Sequence, residues 1–327
     1  MMLLKALAVW VLALALGFFA GSGYLVQMAT ATAILALWGQ SWNLFSGLSG
    51  NISLGHSAFV ATAVYITLVL FVRWGVPPLW GGFCGVGAAV ALAALIGAAT
   101  LRLHGPYFSL ATLAAAAVVL ALILHYPDLT GGASGVALAF THNAALSLEF
   151  TDGRVYYAIA VTLLFATTLL VRWVRQSRLG YYIAAIKSSE QTAAAAGVHV
   201  ARVKVAAFCL SAGLTAVGSV VYVFYLGFAD PNYLAGLTLS IEIALVAFLG
   251  GADFLLGPLV GAIFFELIDT GANALVGASG GWDMMVLGFA VVAAVMIEPR
   301  GLCAMAVRGW EALRCAFGYG GKTLAPV

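Results

Sequence analysis

Residues 79–101 read LWGGFCGVGAAVALAALIGAATL, 23 positions without one charged, amide or imidazole side chain. As a helix, such a run reaches about 35 Å, enough to cross the roughly 30 Å hydrocarbon layer of a bilayer. It is continuous rather than alternating, which favours a helix over a strand of a closed barrel. Comparable apolar segments fall near 6–22, 25–45, 57–72, 107–125, 155–173, 205–227, 237–250, 257–275 and 283–297, ten in all. The segment 237–250 is short for a span. Only 8% of the 327 residues are charged, against about a quarter in a soluble domain. So little polar surface cannot cover a globule in water. The chain is expected to be an all-α polytopic membrane protein of about ten transmembrane helices, with the lipid bilayer as its solvent.

Charge sets the expected orientation. Between the sixth and seventh segments lie Arg172, Arg175, Arg178, Lys187, Arg202 and Lys204, against the single acid Glu190. Positive charge in short loops stays on the cytoplasmic side, so this loop is expected inside. Counting outward puts Lys5 and the C-terminal Arg300, Arg308, Arg314 and Lys322 inside, and 126–154, with Asp128, Glu149 and Asp152, outside. Both termini are therefore expected in the cytoplasm. Met1–Ala20 has features of a secretory signal, but its apolar run is long and another follows from Tyr24, so it is read as a retained first span. The expected organisation is a transmembrane domain over 1–305, containing the loop 174–204, followed by a cytoplasmic tail over 306–327.

Polar residues inside apolar runs are the candidates for function. The stretch Ser46-Gly-Leu-Ser-Gly-Asn-Ile-Ser-Leu-Gly-His-Ser-Ala-Phe59 is rich in Gly, Ser and Asn and reads as a broken helix or a re-entrant loop. Gly47, Gly50 and Gly55 allow close backbone approach or a break. Asn51, Ser53 and His56 place polar groups where an unsatisfied one costs several kcal/mol. Two readings stand side by side: these groups line a wet path, or they hydrogen-bond across packed helices. Glu242 lies just inside its segment, with the same choice between a pathway role and local pairing. The candidate translocation set is Gly50, Asn51, Ser53, Gly55, His56 and Glu242. Glu266 also falls within an apolar run and invites the same functional suspicion, but it and Asp269 sit three apart on one helical face near the outer end of their segment, where solvent exposure is the alternative.

The loop Ser177–Lys204, SRLGYYIAAIKSSEQTAAAAGVHVARVK, favours helix over Tyr181–Ala196, with Gly197 at the C-terminal cap. Ser188 is placed to cap a second short helix, with Gln191 at the capping-box position. Two short helices rimmed with basic residues fit a docking surface for a partner. They fit equally a membrane-surface segment whose arginines pair with lipid phosphates.

This loop resembles the cytoplasmic loop of permease subunits in ATP-binding-cassette importers for branched-chain amino acids, S-R-x-G-x-x-x-x-A-I-[KR]-x-x-E-x-A-A-x-x-x-G. Ser177, Arg178, Gly180, Ala185, Ile186, Lys187, Glu190, Ala193 and Gly197 stand in register, while Tyr181, Tyr182 and Thr192 depart. In that family the loop forms coupling helices seated in a groove of the ATPase. The resemblance thus implies ATPase docking through Arg178, Gly180, Ala185, Lys187, Glu190, Ala193 and Gly197. Residues 46–59 resemble the family's G-x-x-G-[QN]-x-S-L-G-H-[AS]-x-F nearly residue for residue, the most specific match in the chain. Residues 250–262 resemble G-G-x-G-T-x-x-G-P-x-x-G-A, with Asp253 where a glycine is usual and Phe254 for a small polar residue. Gly105-Pro-Tyr-Phe108, Leu129–Gly135 and Pro299-Arg-Gly-Leu302 are further family-like pieces. Thr112-Leu-Ala-Ala-Ala-Ala117 lacks a polar group that the family often carries there.

A nucleotide site is not expected: in the tail Gly318-Tyr-Gly-Gly-Lys-Thr323 the P-loop pattern requires a glycine at position 316, which is Ala. The five histidines (His56, His104, His125, His142, His199) are scattered, and neither H-E-x-x-H nor G-x-S-x-G occurs. No catalytic set, metal site or cofactor is expected. The four cysteines form no C-x-x-C pair, and a net charge of +2 makes no case for nucleic acid. The resemblance implies a multi-pass permease subunit of a bacterial inner membrane. It also implies ABC ATPase subunits, a second related permease subunit and an extracytoplasmic substrate-binding protein as partners. Its cargo is implied to be a branched-chain or related amino acid, with urea and short amides as alternatives. An ion-coupled secondary transporter or channel, using Glu242 and the broken stretch 46–58, is the competing expectation.

Overall fold

The computed structural model describes residues 10, 14, 23–101, 103, 105–138, 148, 150, 152–276, 285, 288–289, 291–293, 296, 298 and 301–305. Most of the expected first span, about half of the expected last one and the tail 306–327 lie outside the described residues. The chain runs through α1 (Gly23–Trp42), a π-helical turn (Asn43–Gly47), α2 (His56–Trp74), α3 (Pro78–Thr100), α4 (Pro106–His125) and the single turn α5 (Pro127–Thr130). There follow β1 (Val136–Ala137), α6 (Gly153–Gln176), α7 (Arg178–Ser188), α8 (Glu190–Ala195), α9 (Val200–Leu226), β2 (Phe228–Ala229), α10 (Pro231–Leu234), α11 (Leu237–Gly250) and α12 (Gly257–Val276).

Among the described residues, five helices (α2, α3, α4, α6 and α9) are long and apolar enough to cross a membrane. The all-α membrane architecture read from the apolar runs therefore holds. α1 matches these helices in length, but Thr30, Gln40 and Ser41 interrupt its apolar character. All three are buried inside the bundle, so the polar positions face protein rather than lipid. α11 has 14 residues, about 21 Å of helix, less than a full crossing. α1, α2 and α9 form the centre; α3 packs on α2 and α9, α4 on α2, α6 on α1, and the α11–α12 hairpin on α1. Trp80, Phe83 and Leu95 of α3 and Tyr107, Leu110 and Leu122 of α4 point outward, as lipid-facing side chains should.

Helix ends fall where local chemistry dictates. Gly75, at φ 63°, closes α2 in the left-handed conformation, and Pro78 opens α3 at its first turn. The Asp152 carboxylate accepts from the Arg154 amide to start α6, and Asp230 does the same for Asn232 at α10. The pairing of β1 with β2 is antiparallel, Val136 opposite Ala229, and was not foreseen from sequence. It ties the segment after α4 to the C-terminal end of α9, about 40 Å from the end that carries α7 and α8.

Close helix contacts rest on particular glycines. A Cβ on Gly85 of α3 would stand 2.4 Å from the Ala63 carbonyl oxygen and 2.7 Å from Thr67 Oγ1, whereas one on Gly87 would meet nothing within 4 Å. Gly85→Ala should therefore cost about 1–3 kcal/mol through forced separation of α2 and α3. Gly87→Ala should be neutral or slightly stabilising, since alanine is the better helix former. Thermal unfolding of the two variants in the same detergent checks this, and equal losses would contradict it.

Candidate functional site

The chain leaves the helical path after the π-helical turn, crosses an unwound segment over 50–55, and restarts at His56. Backbone groups freed this way need partners inside a membrane protein. Side chains supply them. The Trp42 indole donates to the Ser53 carbonyl at 2.8 Å, and the Ser109 hydroxyl to the Ile52 carbonyl at 2.6 Å. Ser46 Oγ accepts from the Ser53 amide at 3.2 Å, and Thr112 Oγ1 from the Leu54 amide at 3.1 Å. Gly55 is required by proximity: a Cβ there would lie 2.4 Å from the Thr112 carbonyl oxygen. The break is thus a broken helix clamped by α4, with Phe45, Phe59 and Phe108 packed around Phe208 of α9 beneath it.

The candidate pathway residues divide into two groups. Gly50 is exposed and Asn51 half-buried, while Ser53, Gly55 and His56 are buried. Ser211 Oγ lies 2.6 Å from the Ser41 carbonyl, so its hydroxyl hydrogen is directed there, and His56 Nε2 is the donor to Ser211 at 2.9 Å. His56 Nδ1 then accepts from Ser53 Oγ at 3.2 Å. His56 therefore bonds α1, the break and α9 together. Of the two readings of Ser53 and His56, this geometry displays helix-to-helix hydrogen bonding. Glu242 on α11 is apart from this network: its Oε2 accepts from the Tyr233 hydroxyl at 3.1 Å. Glu266 and Asp269 on α12 are half-buried, between the two alternatives.

The loop forms two helices, as expected, with the cap shifted by one residue. Ser189, not Ser188, sits at the N-cap of α8, where its Oγ accepts from the Thr192 amide at 3.3 Å. Ser188 is spent as the last residue of α7. Gly197 has φ 87°, and Val198 N donates to Ala193 O while Gly197 N donates to Ala194 O, the paired bonds of a Schellman cap. Gly180 allows the sharp corner between α6 and α7, since a Cβ there would lie 2.3 Å from the Val174 carbonyl oxygen.

The expected docking residues also divide. Arg178, Ala185 and Gly197 are exposed, alongside Tyr181 and Tyr182. Gly180 and Ala193 are buried, so they shape the loop rather than its surface. Glu190 pairs with Lys204 of α9, whose side chain is only 1% exposed. Lys187 turns to the bundle, donating to the Gly47 carbonyl at 3.0 Å and to Asp253 Oδ1 at 3.3 Å. Sequence reading missed the residues that answer this surface. Arg175 donates to the carbonyls of Asp253 at 3.0 Å and Ala252 at 3.3 Å, and Gln40 donates to that of Leu255 at 3.0 Å. Gln40 and Ser211, polar positions in apolar segments, were the available signal. Among the described residues, no group of three or more His, Cys, Asp or Glu side chains could hold a metal ion.

Residues 24–295 match the family described as the permease component of branched-chain amino acid transport systems. The LivM permease protein of the high-affinity branched-chain amino acid transport system of Escherichia coli K12 is 26% identical over 91% of this chain and 74% of its own length. The ribose import permease RbsC of the same organism is 27% identical over 84% of each chain. The fructose import permease FrcC of Rhizobium meliloti is 26% identical over 77% of this chain and 71% of its own. No solved structure matches.

The Glu190–Lys204 pair gives the loop a testable anchor. Glu190→Ala should destabilise the protein by about 3–5 kcal/mol, because it strands a buried ammonium. Adding Lys204→Met should restore most of that loss. Thermal unfolding of the single and double variants measures this, and additive losses would contradict it.

Proposed function

The chain belongs to the permease-component family of branched-chain amino acid transport systems, and from that premise we propose that it is the membrane subunit of an ATP-binding-cassette importer for branched-chain or related amino acids. The observation that carries this reading is the α7–α8 pair. It is a platform with an exposed face, set at one end of the bundle and continuous with α6 and α9. Its outer face presents Arg178, Tyr181, Tyr182, Ala185 and Gly197, which are available to a partner. Its inner face is tied to the π-helical turn before the break, through Lys187 on the Gly47 carbonyl, and to α9, through Glu190 on Lys204.

In this reading α7 and α8 lie in the cytoplasm as coupling helices seated on an ATPase. The basic residues of the loop support that side of the membrane. The break at 50–55 borders the path, with Gly50 and Asn51 on its open side and His56 holding its closed side to α9. The membrane would be a bacterial inner membrane. A related second permease, two ATPases and an extracytoplasmic binding protein would complete the complex. A sugar cargo is the second reading of the substrate, because ribose and fructose permeases resemble this chain at similar identity.

Affinity purification in mild detergent tests the dock. Wild type should bring down an ATP-binding-cassette ATPase. Ala185→Glu and Tyr181→Ala, both on the exposed face, should reduce its recovery at least about tenfold, equivalent to some 1.4 kcal/mol. A homo-oligomer purified without an ATPase would overturn the proposal.

A further inference from the structure

The inner face of the loop contains a contact that docking does not require. Lys187, in the last turn of α7, reaches away from the platform and donates to the carbonyl of Gly47, the final residue of the π-helical turn. The same ammonium bonds Asp253 in the turn between α11 and α12. Side-chain exposures of 43% and 83% mark that ion pair as one that adds little to stability. What it joins is more informative: three segments far apart in sequence, meeting at one nitrogen. Arg175 holds the same α11–α12 turn from the end of α6, through two backbone carbonyls.

The receiving element is an irregular one. A π-helical turn holds one residue more per turn than an α-helix and is frequently found at functional sites. Asn43, its first residue, is fully buried, yet neither its Oδ1 nor its Nδ2 has a hydrogen-bond partner. Buried amides are nearly always paired, and this one contributes no side-chain hydrogen bond that would hold the turn. Gly47 permits the present arrangement, since a Cβ there would lie 1.7 Å from Asn43 Oδ1. The lysine thus holds the last carbonyl of a turn whose first residue is unsatisfied.

We infer that Lys187 is a positioning residue that transmits displacement of the α7–α8 platform to the π-helical turn at Asn43–Gly47, and through it to the break at 50–55. Asp253 keeps the ammonium in place, so the α11–α12 turn moves with it. This rests on the importer reading above, which supplies the force on the platform. In that scheme Arg178, Tyr181 and Ala185 meet the partner and Lys187 meets the chain's own helix.

The test is hydrogen–deuterium exchange on the detergent-solubilised complex of full chain and co-purified ATPase, with and without ATP plus vanadate. In wild type, nucleotide should change exchange both in 178–197 and in 43–55. In Lys187→Ala the ATPase should still co-purify and 178–197 should still respond, while the response in 43–55 is lost. Lys187→Arg, which keeps a cationic donor, should restore it, and Asp253→Asn should weaken it. An unchanged response of 43–55 in Lys187→Ala would overturn the inference. So would loss of the ATPase from Lys187→Ala, which would make the lysine part of the dock. Wild type purified without an ATPase would remove the importer reading and this inference with it. If Lys187→Ala does not fold, Lys187→Arg against Lys187→Gln decides by the same readout, and equal responses in those two would overturn it.

Discussion

A polypeptide inside a membrane cannot leave its backbone unanswered, and the opening between α1 and α2 meets that constraint with side chains. Water would satisfy freed amides and carbonyls at a surface; hydrocarbon cannot. Here Trp42, Ser46, Ser109 and Thr112 each take one group of the segment 52–54, and Ser53 Oγ accepts from the Gly55 amide at 3.4 Å. Three of these side chains come from the approach to the break and the break itself, and two from α4, so α4 is fixed in place by the defect it repairs. The placement of α2 follows. His56 and Ser57 begin that helix already bonded to Ser211 of α9 and Ser240 of α11.

Glycine supports the same economy elsewhere. Between α11 and α12 a Cβ on Gly250 would lie 1.7 Å from the Gly257 carbonyl oxygen, and one on Gly261 would lie 2.0 Å from that of Val246. With backbones this close there is no room for side chains to carry the contact, and carbonyls of the intervening turn face outward. Arg175, Lys187 and Gln40 use those carbonyls and the Asp253 carboxylate as attachment points. Cations at the end of α6 and in α7, whose charge made this loop an expected cytoplasmic one, tie the loop to the bundle through their geometry.

Much of this was legible in the chain. Continuous apolar runs located α2, α3, α4, α6 and α9, because length and hydrophobicity alone fix a spanning helix. Turn chemistry located the cap at Gly197. The break at 46–59 was legible from its glycines and serines, while bonding across helices and lining a path stood open as two readings. The partners were not. Nothing in sequence spacing links His56 to Ser211, 155 positions away, or Lys187 to Gly47, 140 positions away. The cap at Ser189 rather than Ser188 turned on which of two adjacent serines takes extended backbone, a matter of how α7 ends on the bundle rather than of local propensity.

The division within the loop bears on what sequence similarity can say about partners. Gly180, Ile186, Lys187, Glu190 and Ala193 all match the family pattern, and the structure uses each of them inward, for a corner, a core contact, a strut, an ion pair and a buried face. The three departures, Tyr181, Tyr182 and Thr192, are all exposed. These matches therefore report how the loop is built and attached, while its exposed face combines the matching Arg178, Ala185 and Gly197 with the departures Tyr181, Tyr182 and Thr192. Two exposed tyrosines supply large, stiff contact area of the kind that anchors protein interfaces. Within the loop, the inward residues fix its attachment to the bundle, and the proposed docking face is set by a few side chains on its outer side.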